Sequence, residues 1–109
     1  MTNKLITLLI LVFSFQSCQV AQKSDLFTIY LVRHSEKDLK SENEADPPLT
    51  KCGMQRSESL SRFLEDVELD AVYSTDYNRT INTAKPTANS KELKIEKYNP
   101  RDLVGFSKL

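Results

Sequence analysis

The sequence predicts an α/β protein with a parallel sheet, in which strands and helices alternate in the order β-α-β-α-β. Short runs rich in β-branched and aromatic residues occur at 27–32, 71–74 and 94–98, and this composition is typical of strands. Segments with apolar residues at helical spacing separate these runs. Strands that alternate with helices favour parallel pairing, because each helix carries the chain back to the start of the next strand.

The first predicted strand, 27–32, leads directly into Arg33 and His34. Open α/β sheets bind ligands beyond the carboxyl ends of their strands, so both side chains are expected at such an edge. The first helix is predicted from Lys51 to Glu65, with Thr50 as its N-cap. Its apolar residues are expected to face the sheet: they are Leu60, Phe63, Leu64 and Val67.

The second helix is predicted from Asn78 to Asn89, and Pro86 should kink it or end it early because proline lacks a backbone N–H. A last helix is expected to start near Leu103, and the sequence stops at Leu109 before such a helix would finish. The charged segment from Lys37 to Pro48 is interpreted as a solvated loop rather than a metal site.

Composition excludes several classes of function. The chain has 15 basic and 15 acidic residues, so no net field favours nucleic acid. One histidine and two cysteines are too few for a zinc cluster or a disulfide framework. Cys52 is expected simply to occupy the start of the first helix, and no metal or cofactor is predicted.

The amino terminus has the pattern of an export signal. Residues 1–17 contain Lys4 followed by an apolar stretch too short for an ordinary membrane span, as in a signal peptide. The FQSC sequence ending at Cys18 resembles a bacterial lipoprotein cleavage box, so Cys18 is predicted to carry a lipid anchor. Residues 18–26 would then be a lipidated or flexible linker before the domain at 27–109. Ordinary secretion and an uncleaved anchor are the alternatives. The predicted location is therefore the bacterial cell envelope, as a membrane-anchored lipoprotein, or else secreted or periplasmic.

Three ordered blocks resemble the histidine phosphatase superfamily, also called phosphoglycerate mutase-like. They are LVRHSEK at 31–37, DPPLTKCGMQR at 46–56 and LDAVYSTDYNRTINTAKP at 69–86. The resemblance implies a partial, three-layer version of that fold, covering its N-terminal part.

The resemblance also implies phosphoryl transfer through a phosphohistidine on His34. Neutral imidazole supplies an unprotonated nucleophile near neutral pH. Arg33 and Arg79 are assigned to phosphate binding, because guanidinium groups match phosphoryl oxygens. Glu36 is a possible orienting residue for the imidazole. A phosphorylated small molecule or a phosphoprotein is the expected substrate, and the family's simple members need no metal.

The family also uses a second histidine, which these 109 residues lack. The sequence therefore predicts a C-terminally truncated member whose phosphatase-type activity is impaired. The alternative is a non-catalytic, envelope-anchored remnant or a phosphate-binding module.

Overall fold

A computed structural model describes residues 26–108 of the chain. The chain divides into two compact units, Met1–Tyr30 and Leu31–Leu109. In the first unit, the described residues 26–30 are exposed and have no regular secondary structure. The predicted signal peptide, Cys18 and nearly all of the predicted linker lie outside the described residues. Within 26–108, no helix is both long enough and apolar enough to cross a membrane.

The second unit is built around one βαβ motif. Its elements are α1 (Lys51–Phe63), β1 (Val72–Ser74), α2 (Asn78–Ser90), β2 (Ile95–Lys97) and α3 (Leu103–Phe106). Strands β1 and β2 pair in parallel, with Val72 opposite Ile95 and Ser74 opposite Lys97. Helix α2 connects the two strands and contacts both of them. The predicted α/β class with parallel pairing is therefore confirmed, in partial form.

Residues 27–32, predicted as the first strand, are not a strand in the structure. In the second unit, Leu31 is 92% and Val32 is 54% exposed. The described residues form a sheet of β1 and β2 alone. A strand needs a hydrogen-bonded neighbour as well as apolar, β-branched residues, and composition alone cannot supply that neighbour.

Helix α1 starts as the sequence predicts. The Thr50 hydroxyl oxygen accepts a hydrogen bond of 3.0 Å from the Gly53 backbone N–H, which satisfies one of the free donors at the helix start. The Thr50 N–H in turn donates to the Glu36 carbonyl oxygen at 2.9 Å. A Cβ atom on Gly53 would overlap that same carbonyl oxygen. Glycine is thus required where the backbone of Glu36 crosses the first turn of α1.

The packing of α1 differs from the prediction. Among the described elements, α1 contacts α2 and not the sheet. Its buried residues within the helix are Gly53 and Ser57, and both lie against the segment of Ser35 and Glu36. Leu64 is buried just beyond the helix end, but Phe63 is 81% exposed. The apolar spacing identified a helix but not the element on which it packs.

Helix α2 contains Pro86 and continues to Ser90, so the predicted early end at Pro86 is wrong, and the predicted kink stays a prediction. Proline removes one backbone hydrogen bond. Helix α2 contacts α1 and both strands, and Thr87 and Ala88, which follow the proline, are buried.

The contact between Gly53 and the Glu36 backbone predicts that alanine at this helix position lowers the stability, opposite to its usual effect. Alanine usually stabilises a helix relative to glycine by about 1 kcal/mol. Gly53→Ala should instead destabilise the protein by about 1–3 kcal/mol, because the new methyl group meets the Glu36 carbonyl oxygen. Urea unfolding measures the free energy. Met54→Ala, at an exposed neighbouring position, is the control and should change it little; equal stability of the two variants would contradict the proposed overlap.

Candidate functional site

Ser35 joins the segment that carries the histidine to both long helices. Its backbone N–H donates to the Thr83 Oγ1 atom of α2 at 2.8 Å, and its Oγ accepts from the Ser57 hydroxyl of α1 at 3.1 Å. The Thr83 hydroxyl donates to the Arg79 carbonyl oxygen at 2.7 Å. Ser35 is only 4% exposed. These bonds fix the residue after His34 against the helix turn that begins at Arg79.

His34 is half-buried, and its ring is held by a backbone carbonyl. The Nδ1 atom lies 2.8 Å from the Ser35 carbonyl oxygen. A carbonyl oxygen only accepts hydrogen bonds, so Nδ1 must carry the proton. In the neutral imidazole this leaves the lone pair on Nε2. The arrangement leaves His34 with a nucleophilic nitrogen at the far side of the ring.

Arg79 lies in the first turn of α2, and its side chain is 20% exposed. The guanidinium carbon stands 4.4 Å from the centroid of the Tyr77 ring, a cation–π distance. Its Nη1 atom is 3.7 Å from Asp46 Oδ1, close enough for an ion pair but too long for a hydrogen bond. This Nη1 is shielded from solvent and has no hydrogen-bond partner among the described residues. A shielded, unsatisfied donor of this kind is well suited to an anionic oxygen.

Arg33 is exposed. Its side chain forms no ion pair with any residue in the part of the chain that the structure describes. The structure thus links His34 with Arg79 through Ser35 and Thr83, and it shows no corresponding link for Arg33. The phosphate-binding role of Arg33 stays a prediction.

Glu36 is exposed and its carboxylate accepts a hydrogen bond of 2.6 Å from Arg56 Nη1. The hydrogen bond from its own backbone N–H, and then the bond from Arg56, lower the pKa of Glu36 below its usual value. The contact that holds the imidazole of His34 comes from the Ser35 carbonyl instead. The orienting role of Glu36 therefore stays a prediction without a contact to support it.

The structure adds residues to which the sequence motifs assigned no role. Ser35, Ser57 and Thr83 form the buried hydrogen-bond network, and Asp46 pairs with Arg79. All four lie within or next to the three sequence blocks, but their partners are 22 to 48 residues away along the chain. No local pattern in the sequence indicates these pairings, because the two partners of each pair lie far apart along the chain.

The remaining cysteine and the acidic residues are further candidate groups in the sequence. Cys52 is exposed in the first turn of α1, at the helix start where it was expected. Within residues 26–108, no three or more His, Cys, Asp or Glu side chains are grouped so that they could hold a metal ion.

Comparison with known proteins identifies the family. The model of the histidine phosphatase superfamily (branch 1) matches residues 29–99, which include all the residues of the network and Arg79. The chain belongs to this superfamily. None of the curated proteins matches it.

Six chains of solved structures match. One is the crystal structure of phosphoglycerate mutase from Bacillus anthracis str. Sterne, with 28% sequence identity and a TM-score of 0.51. The match covers 59% of this chain and 31% of that chain. The present chain therefore matches about a third of the length of the mutase. The fold of the present chain is a partial phosphoglycerate mutase-like fold.

Substitutions at Thr83 test the hydrogen-bonded link. Thr83→Val removes the acceptor for the buried Ser35 N–H and should cost about 1–3 kcal/mol of unfolding free energy. It should also change the ¹H–¹⁵N NMR signals of the imidazole, since these come from His34 alone in a chain with one histidine.

Thr83→Ser keeps the hydroxyl and is the matched control, because it should preserve the imidazole signals. Identical imidazole spectra for the wild type and Thr83→Val would show that the link does not position His34.

Proposed function

We propose that the chain transfers a phosphoryl group through His34, as a phosphatase-type hydrolase of phosphomonoesters. The observation that carries the proposal is the bond from Ser35 to Thr83, which ties the histidine segment to the helix turn that begins at Arg79. Membership in the superfamily supports phosphoryl transfer in general.

The proposed reaction has two displacements at phosphorus. The Nε2 lone pair of His34 attacks the phosphoryl group, an N–P bond forms, and the P–O ester bond breaks with its electron pair on the leaving oxygen, which takes a proton. Water then attacks the phosphohistidine, the N–P bond breaks with its electron pair returning to Nε2, and the water releases to solvent one proton, which balances the proton that the leaving oxygen took from solvent. Orthophosphate and the alcohol are the products.

The roles of the arginines follow from charge and geometry. Negative charge spreads over the equatorial oxygens during transfer, and preorganised donors stabilise it. Arg79 suits this role because Tyr77 and Asp46 flank its guanidinium and one of its shielded N–H groups makes no bond to the described residues. Arg33, which is exposed and next to His34 in the sequence, is proposed to bind the same phosphoryl group.

Slow turnover is part of the proposal. The 109 residues contain one histidine, and no acidic residue has been assigned as proton donor to the leaving oxygen. General acid catalysis contributes about 10²- to 10⁴-fold in rate. A phosphate-binding module without turnover is the second candidate function, and the same absence of a second histidine favours it. A phosphorylated small molecule and a phosphoprotein both fit the proposed chemistry.

The two candidates differ in whether His34 becomes phosphorylated. After incubation with a small reactive phosphodonor, ³¹P NMR should show an acid-labile phosphohistidine in the wild type and none in His34→Ala. Because the chain has one histidine, any phosphohistidine must form at His34. Arg79→Ala should slow phosphorylation by at least about tenfold, whereas Arg101→Ala, at an exposed position, removes the same charge as a control.

Steady-state hydrolysis of p-nitrophenyl phosphate completes the test. Phosphohistidine with little turnover supports the proposal of an impaired hydrolase. No phosphohistidine in the wild type, together with phosphate binding that depends on Arg79, would favour the binding module. Rapid hydrolysis would contradict the proposed impairment.

We also propose that Cys18 carries a lipid that anchors the chain in a bacterial cell envelope, in keeping with the signal-like residues 1–17. Metabolic labelling with an alkyne fatty acid should label the wild type and Cys52→Ser, but not Cys18→Ser. Equal labelling of all three proteins, or of none, would contradict lipidation at Cys18.

A further inference from the structure

Asp46 bonds to the helix that carries Arg79 and also faces its guanidinium. Its Oδ1 atom accepts a hydrogen bond of 2.8 Å from the Asn78 backbone N–H, at the start of α2, and lies 3.7 Å from Arg79 Nη1. Tyr77, the N-cap residue of α2, makes no side-chain capping bond of its own. A carboxylate from the 37–49 segment thus supplies the cap.

The backbone around Asp46 is braced, which fixes the carboxylate in place. Lys37 and Leu49 form an antiparallel bridge across the segment, and the Asp38 N–H donates to the Pro48 carbonyl oxygen at 2.8 Å. The Asp46 N–H donates to Asn43 Oδ1 at 3.1 Å. Because Oδ1 is also bonded to the helix start, the carboxylate cannot swing away from Arg79 without losing that cap.

We infer that Asp46 is a positioning residue that aims the Arg79 guanidinium and, by its charge, keeps phosphate binding at Arg79 weak. The inference rests on the proposed role of Arg79 in binding phosphate. A phosphate oxygen that approaches Arg79 meets a fixed negative charge close to the guanidinium, and the two anions repel each other.

Asp46→Asn separates the two roles of the residue. Asparagine is as good an N-cap acceptor as aspartate, so the bond to the Asn78 N–H and the thermal stability without phosphate should be retained. The charge is lost, and inorganic phosphate should bind about three- to tenfold more tightly. Asp46→Ala should lower the unfolding temperature because the cap is lost.

The experiment titrates the full chain with inorganic phosphate at fixed ionic strength and follows the unfolding temperature. Asp38→Asn is the matched control: it removes the same charge from the same segment, and its Oδ1 caps only the Lys40 N–H. Tighter phosphate binding by Asp46→Asn but not by Asp38→Asn supports the inference. Equal affinities for the wild type and Asp46→Asn, or equal gains in both Asn variants, would overturn it.

Arg79→Ala keeps failure of this inference distinct from failure of the proposed function. If phosphate stabilises the wild type and not Arg79→Ala, phosphate binding at Arg79 stands, whatever Asp46 does. If phosphate stabilises neither protein, or both equally, the role of Arg79 fails and the inference about Asp46 falls with it.

Discussion

The Ser35 backbone N–H donates a hydrogen bond of 2.8 Å to the Thr83 hydroxyl in the protein interior, and both residues are about 5% exposed or less. A buried N–H without a partner costs about 1–3 kcal/mol. The segment that contains His34 therefore packs on the face of α2 that carries Thr83. Helix α1 closes over the same point, where Ser57 bonds to Ser35 and Gly53 leaves room for the Glu36 backbone. The junction joins the segment of His34 to the turn of α2 that begins at Arg79.

The interior at this junction is polar. Among residues 26–108, the buried polar residues are Ser35, Ser57, Ser74, Thr83 and Thr87, and the buried apolar ones are Leu49, Leu64 and Ala88. Small hydroxylated side chains allow helices and backbone to approach closely, but they stabilise only where each hydroxyl finds a partner. Hydrogen bonds that position the site are thus also part of what holds the fold together, and substitutions there should affect both properties.

Local sequence signals predicted local structure well. Thr50 caps α1 as expected, and the positions of β1, α2 and β2 follow from their residues. The predictions failed where the outcome depends on which neighbour a segment packs or pairs with. This holds for the strand predicted at 27–32, for the exposed Phe63 and for the helix that continues past Pro86. The same distinction applies to the residues of the site. Motifs singled out His34 and Arg79, whereas Ser35, Thr83 and Asp46 act through partners distant in sequence, which no spacing rule reveals.

Amide hydrogen exchange of Ser35 tests this account most directly. If its N–H is bonded to Thr83 in the interior, exchange requires opening of the junction between α1 and α2. The Ser35 amide should then exchange with protection close to that of the amides in the middle of α2. Exchange as fast as that of the exposed amides in the 37–49 segment would show that the bond does not persist in solution, and that His34 is not held beside the helix of Arg79.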